Sequence, residues 1–197
     1  MAVSVTSEVQ EPSSTASRSP VTAFRLWATR HRVLAALLAG FVAVHVGTII
    51  AFWFGGVGLT RLDWPTANGL VYLPDANPTV QFFLGGTAHY LDGIIFALVF
   101  AIALAPHMKV RGSGASANLV KGLLFGIVLG ILALGVMTPL VYAPARGSHA
   151  GFFSTSLGWN YMLSVMIFHV IYGLHLGLIY NPYDEDEAPD RSPATAS

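Results

Sequence analysis

The sequence predicts an all-α integral membrane protein, a polytopic four-helix bundle with disordered termini. Hydrophobic residues make up 54% of the 197 residues and charged residues only 10%, whereas soluble domains carry roughly a quarter charged residues. The mean hydropathy is +0.61. In addition, four apolar stretches each reach the roughly 20 residues that a helix needs to cross about 30 Å of hydrocarbon.

The four apolar stretches define the transmembrane domain. We expect spans at about 33–54, 81–105, 119–141 and 157–180, within a domain that covers residues 24–182. The first stretch is longer than the apolar core of a cleaved signal peptide and follows a polar and basic leader, which indicates a retained anchor. Pro139, near the end of the third span, should end or kink that helix.

Both ends of the chain are polar. Residues 1–23 are rich in Ser, Thr, Pro and Glu, and residues 183–197 are acidic and then small. Neither segment can bury enough apolar surface to offset the entropy of ordering, so we predict disordered tails. Residues 24–32 are interpreted as a flanking segment that fixes topology, with a short basic helix on the membrane surface as the alternative.

The placement of basic residues predicts the orientation. They gather before the first span and around the connection between the second and third: Arg25, Arg30, Arg32, Lys109, Arg111 and Lys121. The positive-inside bias then puts both termini in the cytoplasm. Aromatic rings that suit the headgroup layer lie near the predicted span ends: Trp27, Trp53, Trp64, Trp159, Tyr180 and Tyr183.

Several functions are disfavoured by what the sequence lacks. It contains no cysteine, which removes iron–sulfur clusters and the common zinc sites. We find no nucleophile with its base, no paired catalytic carboxylates and no nucleotide motif, so an enzyme is the weaker interpretation and no nucleic-acid partner is expected. The lipid bilayer is the expected partner, together with another membrane protein or a second copy.

Small residues predict where helices approach closely. Gly122, Gly126 and Gly130 are spaced four apart on the third span, and Gly173 and Gly177 on the fourth. Helix association in lipid relies on such residues, because acyl chains compete equally for apolar side chains. These faces could serve contacts within the chain or with a second copy. Gly93, on the second span, adds a bare patch near His89.

The candidate site is a polar layer near the bilayer midplane. His45, His89 and His169 fall near the middle of three spans, and Asp92 lies one turn from His89. Ionisable groups at that depth are costly and by default mark function. Three interpretations stay open: polar pairing that only satisfies these groups, b-type haem held by two of the three histidines, and a metal or proton site with Asp92.

A weak internal repeat bears on this layer. The stretch 70–74, Leu-Val-Tyr-Leu-Pro, recurs at 140–144 as Leu-Val-Tyr-Ala-Pro. Further along, His89 with Gly93 is echoed by His169 with Gly173. Such similarities fit two related helical hairpins, as in some transporters. They also fit chance, because membrane spans use few residue types and short matches between them are common.

These motifs carry a family resemblance. His89 with Gly93, the glycine stripe that leads to Pro139, and the His169-Val-Ile-Tyr-Gly173 pattern resemble a group of uncharacterised four-span bacterial membrane proteins. The resemblance covers roughly residues 33–182 and implies a fold and a bacterial inner-membrane location, but no activity. We therefore predict a non-catalytic subunit or accessory component, with a b-type haem electron carrier as the alternative.

Overall fold

A computed structural model describes residues 19–110 and 114–183. Within these ranges every regular element is helical, which confirms the predicted all-α class. Four helices are long and apolar enough to cross a membrane: Arg32–Val57, Pro78–His107, Gly114–Ala145 and Trp159–Ile179. The tails predicted to be disordered lie outside the described residues, except for their innermost positions.

The regular α-helices follow one another in this order: α1 Pro20–Arg30, α2 Arg32–Trp53, α3 Trp64–Tyr72, α4 Pro78–Leu98, α5 Gly114–Leu132, α6 Ala143–Ala145 and α7 Trp159–Ile179. Short 3₁₀ segments extend α2 and precede α7. With four crossings, α1 and the end of α7 lie on one side of the membrane, the termini side. The other side, which carries α3, is called the loop side.

The segment before the first span is helical. Ser19 caps α1 by accepting a hydrogen bond from the Thr22 amide at 3.2 Å, and Pro20 occupies the first turn, where no amide donor is needed. The helix therefore starts inside the stretch 1–23 that the composition predicts to be disordered, and residues 24–30 are helical, as in the alternative interpretation of this segment.

Two of the membrane helices change to π-helical geometry near one end. The second span continues as a π-helix over Val99–Leu104, and the third over Ala133–Tyr142, which contains Pro139. A proline cannot donate the hydrogen bond of an α-turn. The third helix accommodates it within the wider π geometry and continues to Tyr142. Of the two effects that the sequence predicted for Pro139, an end or a kink, the helix does not show the end.

The helix α3 is an element that the sequence analysis missed. Asp63 caps it by accepting from the Thr66 amide at 3.1 Å, and Pro65 lies in its first turn. It packs on the start of α4 through glycines, because a Cβ added at Gly85 would lie 2.6 Å from the Gly69 Cα. Only nine residues long, α3 is too short to give a membrane-span signal.

The membrane helices pack as a chain of neighbours rather than as a closed ring. The helices α2 and α7 form the inner pair, α4 packs on α2 and α3, and α5 packs on α7. On the termini side, Phe100 and Phe125 close the gap between the second and third spans, with ring centroids 5.2 Å apart. Nearer the loop side, the gap between α4 and α5 remains.

The α5–α7 contact is a backbone contact. A Cβ added at Gly122 would overlap the Gly173 carbonyl oxygen and lie 2.6 Å from the Gly177 Cα. A Cβ added at Gly126 would lie 3.0 Å from the Gly173 Cα. These glycine faces are therefore occupied within the chain.

We predict that Gly122→Ala weakens the fold by about 1–3 kcal/mol, because the new methyl group overlaps backbone that cannot move away without separating the helices. The free energy of unfolding of purified protein in detergent measures the change. Gly86→Ala is the matched control, since its Cβ would meet only the Pro65 ring, at an ordinary 3.6 Å. Equal losses in the two variants would contradict this account of the α5–α7 contact.

Candidate functional site

A cavity of about 330 Å³ lies between the helices, on the side of the inner pair where α4 and α5 diverge. Every membrane helix and α3 contribute to its wall. Its polar and aromatic lining residues are Trp64, Tyr72, His89, Asp92, Tyr142, Phe168, His169 and Tyr172. Its apolar lining residues are Val44, Gly93, Phe96, Leu129, Leu132, Ala133, Val136 and Met137.

The His89 ring is held in one tautomer by Thr48. The Thr48 hydroxyl donates its single proton to the Val44 carbonyl, at 2.6 Å, so it can only accept from His89 Nε2, at 2.9 Å. His89 therefore carries its proton on Nε2. The Nδ1 lone pair has no partner among the described residues and is not fully enclosed by protein. Since the ring lines the cavity, this lone pair is open to an occupant.

His169 shows the same arrangement with the nitrogens exchanged. Its Nδ1 lies 2.8 Å from the Val165 carbonyl oxygen, which can only accept, so Nδ1 carries the proton. The lone pair on Nε2 has no protein partner in the described part of the chain and retains some exposure. Two imidazoles from different helices thus each keep one nitrogen anchored and one nitrogen free at the same cavity.

Asp92 belongs to a polar chain that crosses from α4 to the π-helical part of the third span. The Tyr142 hydroxyl donates to Asn68 Oδ1 at 2.7 Å, and Asn68 Nδ2 points to Asp92 Oδ2 at 3.5 Å. Asn68 is 1% exposed, so its amide relies on these partners. The charge of Asp92, together with burial, raises the pKa of Tyr72 on α3.

Aromatic rings stand beside both imidazoles. The Trp64 ring centroid lies 6.3 Å from that of His89 and 6.4 Å from that of His169. The Phe168 ring lies 5.9 Å and 5.1 Å from the same two rings. Trp64 Nε1 is buried and is the one enclosed side-chain donor or acceptor in residues 19–110 and 114–183 that lacks a hydrogen-bond partner.

His45 lies apart from this cavity. Its ring is exposed on the outer surface of α2, and its Nδ1 is 2.6 Å from the Tyr90 hydroxyl. The cavity therefore brings together His89, His169 and Asp92 but not His45, whose ring lies on an exposed side of α2. His175 is also absent from the lining, and its Nδ1–H donates a hydrogen bond to the Ile171 carbonyl.

The histidines and Asp92 do not form a compact metal site. Among the residues that the structure describes, no group of three or more His, Cys, Asp or Glu side chains could hold a metal ion. The two free imidazole nitrogens therefore have no third protein ligand of these types beside them.

No family model, curated protein or solved structure matches this chain. The function must therefore be argued from the chemistry of the cavity itself.

The cavity opens toward the lipid-facing surface. Phe96 on α4 and Leu132 on α5 line it and are both exposed, as is Val136 in the π-helical segment. These residues stand on the two helices that do not pack directly on each other. The mouth therefore lies between α4 and α5 and is bordered by apolar side chains.

Sequence reasoning found the two histidines and Asp92 but missed the residues that surround them. Trp64, expected at the headgroup layer, is buried in the cavity wall. Asn68 lies on α3, which is too short to give a signal in the sequence. The internal repeat could have predicted two of these residues. Its two tyrosines, Tyr72 and Tyr142, both line the cavity, as do its two histidines.

We predict that Thr48→Val releases the His89 ring. Its Nε2 proton would lose its acceptor, which costs about 1–3 kcal/mol for a buried donor. Nitrogen-15 NMR of labelled histidine should show a pure Nε2–H tautomer at His89 in the wild type and a mixture in the variant. Thr87→Val is the control, since Thr87 also donates to the carbonyl four residues earlier but meets no histidine. An Nδ1–H tautomer at His89 in the wild type would contradict the assignment.

Proposed function

We propose that the chain is a non-catalytic component of the bacterial cytoplasmic membrane, with both termini in the cytoplasm, that binds a small molecule in the cavity. One observation carries the proposal. The single ring N–H of His89 and that of His169 each donate a hydrogen bond to a protein oxygen, and each ring leaves a free lone pair at the same cavity. Such anchoring of one nitrogen is how proteins orient an imidazole whose other nitrogen binds something.

The arrangement supports binding better than mere polar pairing. If the histidines served only to satisfy one another, their lone pairs would meet donors from neighbouring helices. Instead, the cavity leaves these acceptors unpaired in the described structure, and unpaired polar groups in a low-dielectric interior are costly. A ligand that completes these hydrogen bonds is therefore stabilised by both rings.

The partner interpretation changes in one respect. The sequence left open whether the glycine faces serve contacts within the chain or with a second copy. In the structure, Gly122, Gly126, Gly173 and Gly177 contact each other within the chain. Attachment to another membrane protein or to a second copy would then use the lipid-facing surface, where the His45 ring is exposed. Gentle purification that recovers a stable complex would support such an accessory role.

The haem alternative is less well supported by the geometry than a smaller ligand. His89 and His169 come from different helices and have free nitrogens, as axial ligands require. However, Trp64 and Phe168 each lie beside both imidazoles, and a macrocycle ligated by both histidines would compete with these rings for space. We expect a flat reduced-minus-oxidised spectrum from haem-supplied membranes. A b-type band that disappears in His169→Leu would replace our proposal with a cytochrome.

We predict that a small molecule co-purifies with the wild-type protein and is lost when the mouth is blocked. Leu132→Trp places a large ring at the mouth, and Ile131→Trp is the matched control, because the two neighbours are 48% and 47% exposed but only Leu132 lines the cavity. Native mass spectrometry from lipid nanodiscs, followed by solvent extraction, measures occupancy. Wild-type protein that is empty under these conditions would count against a binding role.

A further inference from the structure

Resting on the proposed function, the geometry points to the class of ligand: we infer that the cavity binds a lipid-soluble quinol, with its hydroxylated aromatic ring between the helices and its apolar tail directed into the bilayer. Three independent features support this class. They are the hydrogen-bonding polarity of the cavity, its aromatic walls and the position of its mouth.

Most of the unpaired polar atoms around the cavity are acceptors. His89 Nδ1 and His169 Nε2 present lone pairs, and the Asp92 carboxylate adds a third acceptor. Two of the three lining tyrosines are engaged as donors, since Tyr142 donates to Asn68 and Tyr172 donates to the Gly93 carbonyl at 2.6 Å. The donors that remain are Trp64 Nε1, which is enclosed by protein, and the hydroxyl of the largely exposed Tyr72. Because free acceptors outnumber free donors, the cavity favours an occupant that donates hydrogen bonds. A quinol carries two phenolic O–H donors, whereas the corresponding quinone carries none.

The aromatic walls favour a flat ring over an aliphatic alcohol. Trp64 and Phe168 flank both imidazoles, so an aromatic head can stack on the walls while its hydroxyls reach the ring nitrogens. Stacked or edge-on aromatic pairs add about 0.5–1.5 kcal/mol beyond their buried area. An aliphatic alcohol would satisfy the same acceptors without this contribution.

The mouth of the cavity faces hydrocarbon. Phe96, Leu132 and Val136 border it and are exposed on the lipid-facing surface. A ligand with a long apolar tail can therefore place its head at the histidines while the tail stays in the bilayer. A hydrated cation satisfies the acceptors too, but it would have to cross this apolar rim, and no third metal ligand awaits it in the described residues.

The test compares three ligands that share ring and tail but differ in donors: decylubiquinol, decylubiquinone and the dimethyl ether of decylubiquinol. Binding to the full chain in nanodiscs is measured by equilibrium dialysis, with empty nanodiscs as the partition blank. We expect the quinol to bind at least about tenfold more tightly than either other ligand, since each of those leaves two buried acceptors unpaired. This comparison uses the wild-type protein and needs no variant.

Two variants then assign the effect to the cavity. His169→Leu should remove most of the preference for the quinol, whereas His175→Leu should retain it. The control is closely matched, because both histidines lie on α7 and donate Nδ1 to the carbonyl four residues earlier at 2.8 Å, but only His169 lines the cavity. A preference that both variants retain would overturn the assignment of the quinol to these imidazoles.

The remaining outcomes separate this inference from the proposed function. Equal binding of all three ligands would overturn the quinol class. No binding of any of them, with a different molecule recovered from wild-type protein but not from Leu132→Trp, would overturn the quinol inference and leave the binding role standing. Failure of all three ligands together with an empty wild-type cavity would overturn both.

Discussion

The architecture depends on backbone contact at glycines on the outer helices. Gly122 and Gly126 bring α5 against Gly173 and Gly177 of α7, and Gly85 brings α4 against α3. In lipid, where apolar side chains gain nothing by leaving acyl chains for a neighbouring helix, such close approach is what holds helices together. The glycines hold α5 against α7 and α4 against α3. As a result, α4 and α5 do not pack on each other and separate on the loop side. The cavity is the space that this separation leaves.

The second constraint concerns protons. The hydrocarbon core of a bilayer offers no water to a buried imidazole, so the N–H of each ring must find a hydrogen-bond acceptor within the protein. The Thr48 hydroxyl accepts a hydrogen bond from His89 Nε2–H, and the Val165 carbonyl accepts one from His169 Nδ1–H. Because a neutral imidazole has one proton and one lone pair, satisfying the donor fixes which nitrogen stays free. The acceptor character of the cavity thus follows from the helix geometry, without any charged group being required.

Much of the fold could be predicted from the sequence, and part of the site. Long apolar runs are a direct consequence of bilayer thickness, so the four spans emerge from composition alone. The depth of His89, Asp92 and His169 along their helices could also be counted. The face of a helix is harder, because it depends on which neighbour each side meets. Gly40 packs on Ala97 of α4 and Gly47 on Phe168 of α7, and these contacts leave His45 on the outer side. The sequence of α2 does not indicate which of its sides faces the other helices, because both sides are apolar.

The wall formed by the π-helical segment Ala133–Tyr142 has a further consequence for how the cavity keeps its shape. A helix wound with the wider spacing is held there by its surroundings, and a slip back to the ordinary winding would swing every later side chain by about 100° around the axis. Tyr142 sits at the last position of this stretch and is tethered to Asn68 on α3. This hydrogen bond between a phenol and an amide therefore links the winding of one membrane helix to the position of the short helix α3.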